Sequence, residues 1–278
     1  MNLLELRTFL TIIETGNLVR ASEQLNVTQS TVTARLNSLE DEIGQVLINR
    51  QKSGASLTAA GVRLQRYANT ISDLWQQARQ ETSLSDAFSA VCNIACHPDL
   101  WPHLGSKMFD HIQTAHPSIA LSVWQGNQSD LTNWLNAGLT DVSLTYWPNA
   151  NQKQRVFPLL TDKLVLVSTR KDSPIKFDPG YIFVEAGDDF GQQHASAYAD
   201  ANTARISFGT AQLGLEHLLT KGGSAYLPMR VVQPYLKSKK LHLLKEAQTF
   251  ERNAFLIANK TALDKWSWFE ECRKAISE

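Results

Sequence analysis

Between Thr15 and Glu40 the chain reads TGNLVRASEQLNVTQSTVTARLNSLE, two short helical patterns meeting at a tight polar turn. In the first pattern Val19, Ala21, Ser22 and Leu25 supply small and apolar contacts. Asn26 then stops the helix, because Asn tolerates the left-handed backbone that a sharp turn needs. Thr28 is a good N-cap for the second helix, and Val32, Leu36 and Leu39 follow at i, i+4 and i+7 on one buried face. This spacing is the signature of a helix-turn-helix.

The opposite face carries Gln29, Ser30, Thr31, Thr33, Arg35 and Asn37, short or amide-bearing residues with one charge among them. Such a face suits a major groove, where Gln and Asn read base edges and Ser and Thr reach bases or phosphates. The competing reading is the solvated face of a small bundle. The neighbouring segments favour the groove. Residues 1–15 form a helical pattern with Leu3, Leu6, Phe9, Leu10 and Ile13, fit to pack across the two shorter helices. After Glu40, the apolar run to Ile48, the turn Arg50-Gln51-Lys52-Ser53-Gly54 and the return to Leu57 predict a small two-stranded wing. Arg50 and Lys52 sit on it, within reach of phosphates.

These residues resemble the LysR-type transcriptional regulators. The match runs through Phe9, Ala21, Leu25, Gln29-Ser30-Thr31-Val32-Thr33, Leu36, Leu39-Glu40, Gly44, Leu47, Arg50 and Leu57-Thr58-Ala59-Ala60-Gly61, in order over about sixty residues. The resemblance implies a winged helix-turn-helix with Gln29 to Arg35 as recognition helix. Ser22 replaces the family's usual second Ala, and Ile48 its usual Phe, a change expected to alter the packing of the wing. Within the family the chain looks similar to the subgroup of the flagellar master operon repressor, and no target is carried over from that likeness.

Charge adds little. Residues 1–83 hold eight Lys/Arg and eight Asp/Glu, and the remainder holds 19 of each. A free nucleic-acid domain is more often visibly basic. Tight binding then needs more than one subunit per site. A means of pairing follows at once. Leu64, Ile71 and Ala78 repeat every seven residues between 59 and 84, and so do Tyr67 and Leu74. That is an a/d seam. A helix this long spans roughly 38 Å, awkward to bury on a sixty-residue domain. The alternative is an amphipathic helix packed on its own domain; the resemblance implies a dimer-forming linker.

Ser83-Leu84-Ser85-Asp86 is the expected hinge. Beyond it, apolar strand runs alternate with helical patterns, an α/β architecture. Strands are expected at 91–96, 119–124, 141–146, 164–168, 181–184, 206–208, 225–227, 241–244 and 254–258. Helices are expected from Pro98 through Leu100, Leu104, Met108 and Ile112, and at 130–137, 210–221 and 262–276. The resemblance implies a regulatory part like a periplasmic binding protein, with lobe I at about 89–167 and 256–278 and lobe II at about 168–255. A ligand in such a fold sits between the lobes, at strand-to-helix turns with outward backbone N–H groups. Candidate effector contacts are Cys96, His97 and Pro98, then Asn127 and Gln128, then Trp147, Thr210 and Pro228. Asp99 argues against a simple dicarboxylate, and Trp101, Trp124 and Trp147 allow an aromatic effector; each Trp is equally a core residue. The other reading is a chain that binds no effector at all.

Three thiols, Cys92, Cys96 and Cys272, and no signal peptide fit a reducing cytoplasm. In a strand Cys92 and Cys96 lie about 13 Å apart, too far for a disulfide. No dinucleotide, phosphate-loop, zinc-protease, C-x-x-C or nucleophile-elbow motif occurs, and the seven histidines have no metal spacing. His194 is expected solvated in a polar loop. No run approaches the roughly 18 apolar residues of a membrane span.

The expectation is a cytoplasmic, non-enzymatic transcriptional regulator with no cofactor and no metal. Its regions are a winged helix-turn-helix at 1–58, a dimerisation helix at 59–84 and an effector-binding domain at 85–278. Its partners are double-stranded DNA, itself as dimer or tetramer, and a small molecule of unread identity. A solute-binding module or an effector-independent DNA-binding protein is the alternative.

Overall fold

The computed structural model describes residues 2–51, 54–85, 87–176, 178–199 and 204–277, which fall into two compact units divided after Ser85. In the first unit α1 (Leu3–Thr15) opens with a capping box, Asn2 accepting from the backbone and Glu5 reaching back. α2 (Leu18–Gln24) ends at Asn26, whose φ of 51° confirms the left-handed stop. α3 (Gln29–Ile43) starts at the Thr28 cap and stops at left-handed Gly44. β1 (Ile48–Gln51) and β2 (Gly54–Leu57) pair antiparallel as the wing. Leu6, Phe9, Ile12, Val32, Leu36 and Leu39 form the fully buried core, and Ile48 joins it beside Leu47. Val19 is exposed, contrary to the sequence expectation; Leu18 makes the contact instead.

α4 (Ala59–Thr82) splits the expected seam. Leu64 and Ile71 pack with Ala68 on the core of this unit, because their side of the helix faces α1 and the wing. Tyr67 (56% exposed), Leu74 (36%) and Trp75 (49%) remain in solvent, and Ala78 is exposed too.

The second unit is built on a seven-stranded sheet. β3 (Ala90–Cys96) lies between β4 (Ile119–Gln125) and β5 (Val142–Thr145), both parallel to it. The next element is one 15-residue strand, β6 (Gln154–Ser168). Further along come β7 (Phe183–Val184), β8 (Ser207–Phe208), β9 (Ser224–Pro228), β10 (His242–Leu243) and β11 (Phe250–Asn259). β11 runs antiparallel to both β5 and β6, and the far end of β6 pairs with β9 and β10. The helices are α5 (Ser106–Ala115), α6 (Gln128–Ala137), α7 (Asp188–Ala197), α8 (Ala211–Lys221), α9 (Met229–Lys237), α10 (Lys260–Leu263) and α11 (Phe269–Ser277). One core gathers β3, β5, α5 and α11 around Ile94, Met108, Leu144 and Phe269. Two others lie around β9, one with Leu215, Leu218 and Leu227 and one with Phe190, Tyr226 and Phe250. Leu164 to Val167 belong to the latter two, so the change of lobe falls inside β6, earlier than the expected 167.

Several elements differ from the sequence expectation. The helix from Pro98 is broken at Pro102 and His103, whose backbone is non-helical, and resumes only at Ser106. The C-terminal helix is likewise interrupted between Leu263 and Phe269, where Trp266 and Trp268 turn into the core. No helix is expected between 228 and 240, where α9 forms with Pro234 in its interior. His194 lies in α7, its Nε2 2.8 Å from the Tyr181 hydroxyl and its ring among Phe190, Tyr198 and Tyr226; it is half-buried and not in a polar loop.

Gly61 in the first turn of α4 shows how tightly that helix meets the wing. A Cβ there would stand 2.2 Å from the Leu47 carbonyl oxygen, a backbone atom with little room to yield. Gly61→Ala is expected to cost about 1–3 kcal/mol in urea unfolding, since overpacking against backbone forces the elements apart. An unchanged midpoint would mean that α4 and the wing do not touch there.

Candidate nucleic-acid interface and ligand cleft

The sequence sets the exposed face of α3 by burying the other. With Val32, Leu36 and Leu39 at zero exposure, Gln29, Ser30 and Asn37 are left exposed and Thr31, Thr33 and Arg35 partly so. At the N-terminus the Thr28 Oγ1 accepts from the Thr31 N–H (3.2 Å) and lies 2.8 Å from both the Ser30 and Thr31 hydroxyls. The helix entry is thus a cluster of hydroxyls. At the other end Glu40 binds the wing, its Oε1 accepting from the N–H groups of Leu47 (2.7 Å) and Ile48 (3.1 Å). Arg50 leans back from the wing, donating to Asn37 Oδ1 (2.5 Å) and Glu40 Oε2 (3.3 Å). Asn37 and Arg50 therefore act as a pair. Lys52 lies outside the described residues.

In the second unit a cavity of about 620 Å³ opens between the lobes. Of the expected effector contacts, His97, Asn127, Gln128 and Trp147 line it. Cys96 does not: it is fully buried, its Sγ turned toward the His97 carbonyl (3.3 Å), and burial pushes its thiol to about 12. Pro98 lines a separate, smaller cavity with His103 and Tyr235. Thr210 caps α8, with Gly209 beside it facing the main cavity, and Pro228 is buried in β9. Of the three tryptophans only Trp147 lines the cleft; Trp124 packs edge-on against Trp134 and Trp101 against Phe109.

The sequence reading missed the charged groups behind the cavity. Arg230, at the start of α9, donates to Asp162 Oδ2 on β6 (3.0 Å), to the Pro102 carbonyl (2.6 Å), to the Asp99 carbonyl and to the Tyr146 hydroxyl (3.2 Å). Tyr146 in turn donates to Asp162 (2.8 Å). Asp99 follows β3, yet its carboxylate accepts from the N–H of Ala211 (2.7 Å), the first residue of α8. Arg252, on β11, lies over the Tyr146 ring at 3.4 Å and lines the cavity. These residues are far apart in sequence and belong to no local motif, so only the pairing of β5, β6 and β11 could reveal them.

His97 is buried against this cluster, and its Nδ1 accepts from the Asp99 N–H (3.2 Å). Burial, reinforced by the charges of Arg252 and Arg230, pushes the imidazole down to about 3. Between that value and the ordinary 6.5 the unfolded chain binds a proton that the folded chain does not, so His97 makes stability fall as pH falls through this window. Asp99 acts with the opposite sign, since burial raises its carboxyl. His97→Asn keeps an acceptor for the Asp99 N–H and removes the titration. Going from pH 7 to pH 5, the wild type should lose about 1–2 kcal/mol more than H97N in urea unfolding. Equal losses would show that the imidazole is protonated in the folded chain.

Comparison with known proteins places both units in one family. Residues 3–62 match the family model of the bacterial regulatory helix-turn-helix protein, lysR family, and residues 85–265 match the LysR substrate binding domain. Among curated relatives, the HTH-type transcriptional regulator HdfR of Escherichia coli is 28% identical over 259 residues, covering 91% of this chain and 90% of the relative. Among solved structures, CbnR, a LysR family transcriptional regulator, superposes with a TM-score of 0.71 at 15% identity, over 100% of both chains. Vibrio fischeri DarR in complex with DNA gives 0.60 at 20% identity, over 100% of this chain and 99% of that one. Full-length LysG from Corynebacterium glutamicum with bound effector Arg gives 0.55 at 21%, over 99% and 98%. With two family models covering the DNA-binding and the regulatory parts in turn, the chain belongs to the LysR family of DNA-binding transcriptional regulators.

Proposed function

We propose that two or more copies of this chain bind one partly symmetric DNA site, each through Thr28 to Asn37 in a major groove, under the control of a small molecule in the inter-lobe cavity. The observation that carries the reading is the division of α3 into a wholly buried apolar face and an outward face of hydroxyl, amide and guanidinium groups. Gln29, Ser30, Thr31, Thr33 and Arg35 meet the bases and nearby phosphates; Arg50, tied to Asn37 and Glu40, offers its remaining donors to the backbone. The similarity to DarR, solved with DNA, supports this use of the fold. The cavity volume falls in the range of small-molecule sites, and LysG is a neighbour solved with an effector. The chain acts as a regulator and not as an enzyme, in the compartment that holds the DNA. No described helix is long and apolar enough to cross a membrane.

Pairing is assigned to α4, through the exposed Tyr67, Leu74, Trp75 and Ala78, with Leu64 and Ile71 serving their own core. Leu74→Glu places a charge on the exposed part of the seam without touching the core. It should convert the oligomer to a smaller species in sedimentation with unchanged circular dichroism; sedimentation identical to wild type would remove α4 from the interface.

Sites are obtained by selecting bound fragments from genomic DNA. On such a site Gln29→Ala and Arg35→Ala should each weaken binding by about 1–3 kcal/mol while the folded signal is kept. Full affinity in a folded variant would overturn the placement of α3 in the groove.

A further inference from the structure

The entries of α6 and α8 at the cleft are capped by the protein's own side chains. Asn127 Oδ1 accepts from the N–H groups of Ser129 and Asp130 at the entry of α6. Thr210 and Asp99 do the same for α8, and the His97 ring takes the N–H of Asp99. Pro228 lies in the β6–β9 ladder. The anion sites at these two helix entries are therefore filled, and the entry of α7 at Gly187, which has no side-chain cap, carries Asp188 and Asp189 in its first turn and so disfavours an anion. What remains open is side-chain charge.

Arg252 is the cation. Its side chain is 10% exposed, its Nη1 is buried with no hydrogen-bond partner, and its sole carboxylate neighbour within ion-pair range among the described residues is Asp99, 3.9 Å away. Stacking on Tyr146 holds the guanidinium in place but fills none of its donors. A buried guanidinium with unfilled donors calls for an acceptor, and a planar carboxylate fits it best. Two acids share the same wall. Glu185 and Asp188 are exposed to the cavity, and neither forms an ion pair among the described residues. They adjoin Arg252 through Gly187: Glu185 Oε1 accepts from the Gly187 N–H (3.2 Å), and a Cβ on Gly187 would stand 3.6 Å from Arg252 Nη2. The facing wall is neutral, with amides at Asn127, Gln128 and Asn133.

We infer that the cleft takes a small zwitterion, its carboxylate on Arg252 and its ammonium group on Glu185 and Asp188, with an α-amino acid as the simplest member of the class. The inference rests on the reading of this cavity as the effector site. A dicarboxylate would set its second anion against two acids, and a simple cation would leave Arg252 unfilled. Trp147, 5.3 Å from the guanidinium, offers a flat wall for the uncharged part.

The test is calorimetry and thermal shift on the full chain with the L-α-amino acids, each beside its α-amide and its deamino acid. At least one amino acid should bind with a Kd about tenfold below those of both analogues. The double change Glu185→Gln and Asp188→Asn, both at exposed positions, should bring the amino acid and its deamino acid within about twofold of each other. Arg252→Gln should do the same for the amino acid and its amide. Mono- or dicarboxylates that bind as tightly as any amino acid would overturn the zwitterion while leaving the cavity as the effector site. If neither the panel nor a whole metabolite extract shifts the melting temperature, both the zwitterion and the effector reading fall.

Discussion

The regulatory unit depends on one buried guanidinium. Arg230 starts a helix of the second lobe, yet its donors go to the Asp99 and Pro102 carbonyls on the first and to Asp162 on a strand shared by both. A charge this far from water is tolerated only if its donors are filled, and breaking such a pair costs far more than replacing it outright. Any opening of the lobes must first separate these groups or carry them along. Asp99 adds a second tie by capping α8 across the cleft, so the first lobe supplies the N-terminal partner of a helix in the second. The break at Pro102 and His103 serves the same end. A continuous helix would bond the Pro102 carbonyl internally, whereas the broken one leaves it free to meet Arg230.

With Arg230 and Asp99 occupied by each other's lobes, the cleft is defined by what they leave out. Arg252 shares their neighbourhood and stacks on the same tyrosine, but its buried Nη1 finds no acceptor within hydrogen-bonding distance among the described residues. Asp99, read from sequence as arguing against a simple dicarboxylate, is spent on the α8 backbone, and the acids that face the cavity are Glu185 and Asp188 instead. The chemistry of the site thus comes from residues that the chain brings together from the segment just after β5, from β6 and β11, and from the entry of α7.

In the DNA-binding unit sequence and structure agree closely, because its signals are local. Asn26 must turn left-handed, Thr28 must cap, and Val32, Leu36 and Leu39 must share a face within one helix. The errors there are errors of environment. Leu64 and Ile71 have the heptad spacing of an interface, but spacing does not say which partner a face meets, and here the partner is their own core. Asn37 and Arg50 each looked free to contact DNA; folding the wing onto α3 brings them together. In the regulatory unit only the apolar end of β6 is legible in the sequence, since its first ten residues open on Gln154-Arg155, contain Pro158 and close on the polar run Thr161-Asp162-Lys163. α7 was missed because its Gly, Asp and Gln residues read as a loop, although Phe190 and His194 anchor it among aromatic rings.

The sequence by itself determined the helix-turn-helix, the wing, the long helix after it, the α/β class of the remainder and the family. Each rests on caps, turns and periodicities that act within a few residues of chain. Tertiary structure decided which seam residues of α4 stay exposed, where the lobes divide, and which charges meet in the cleft. Those depend on contacts between residues such as Asp99 and Ala211, or Asp162 and Arg230, that lie far apart along the chain. No local pattern encodes such a pair; the burial of both groups, and the need to fill every donor once buried, fixes it only when the sheet has formed.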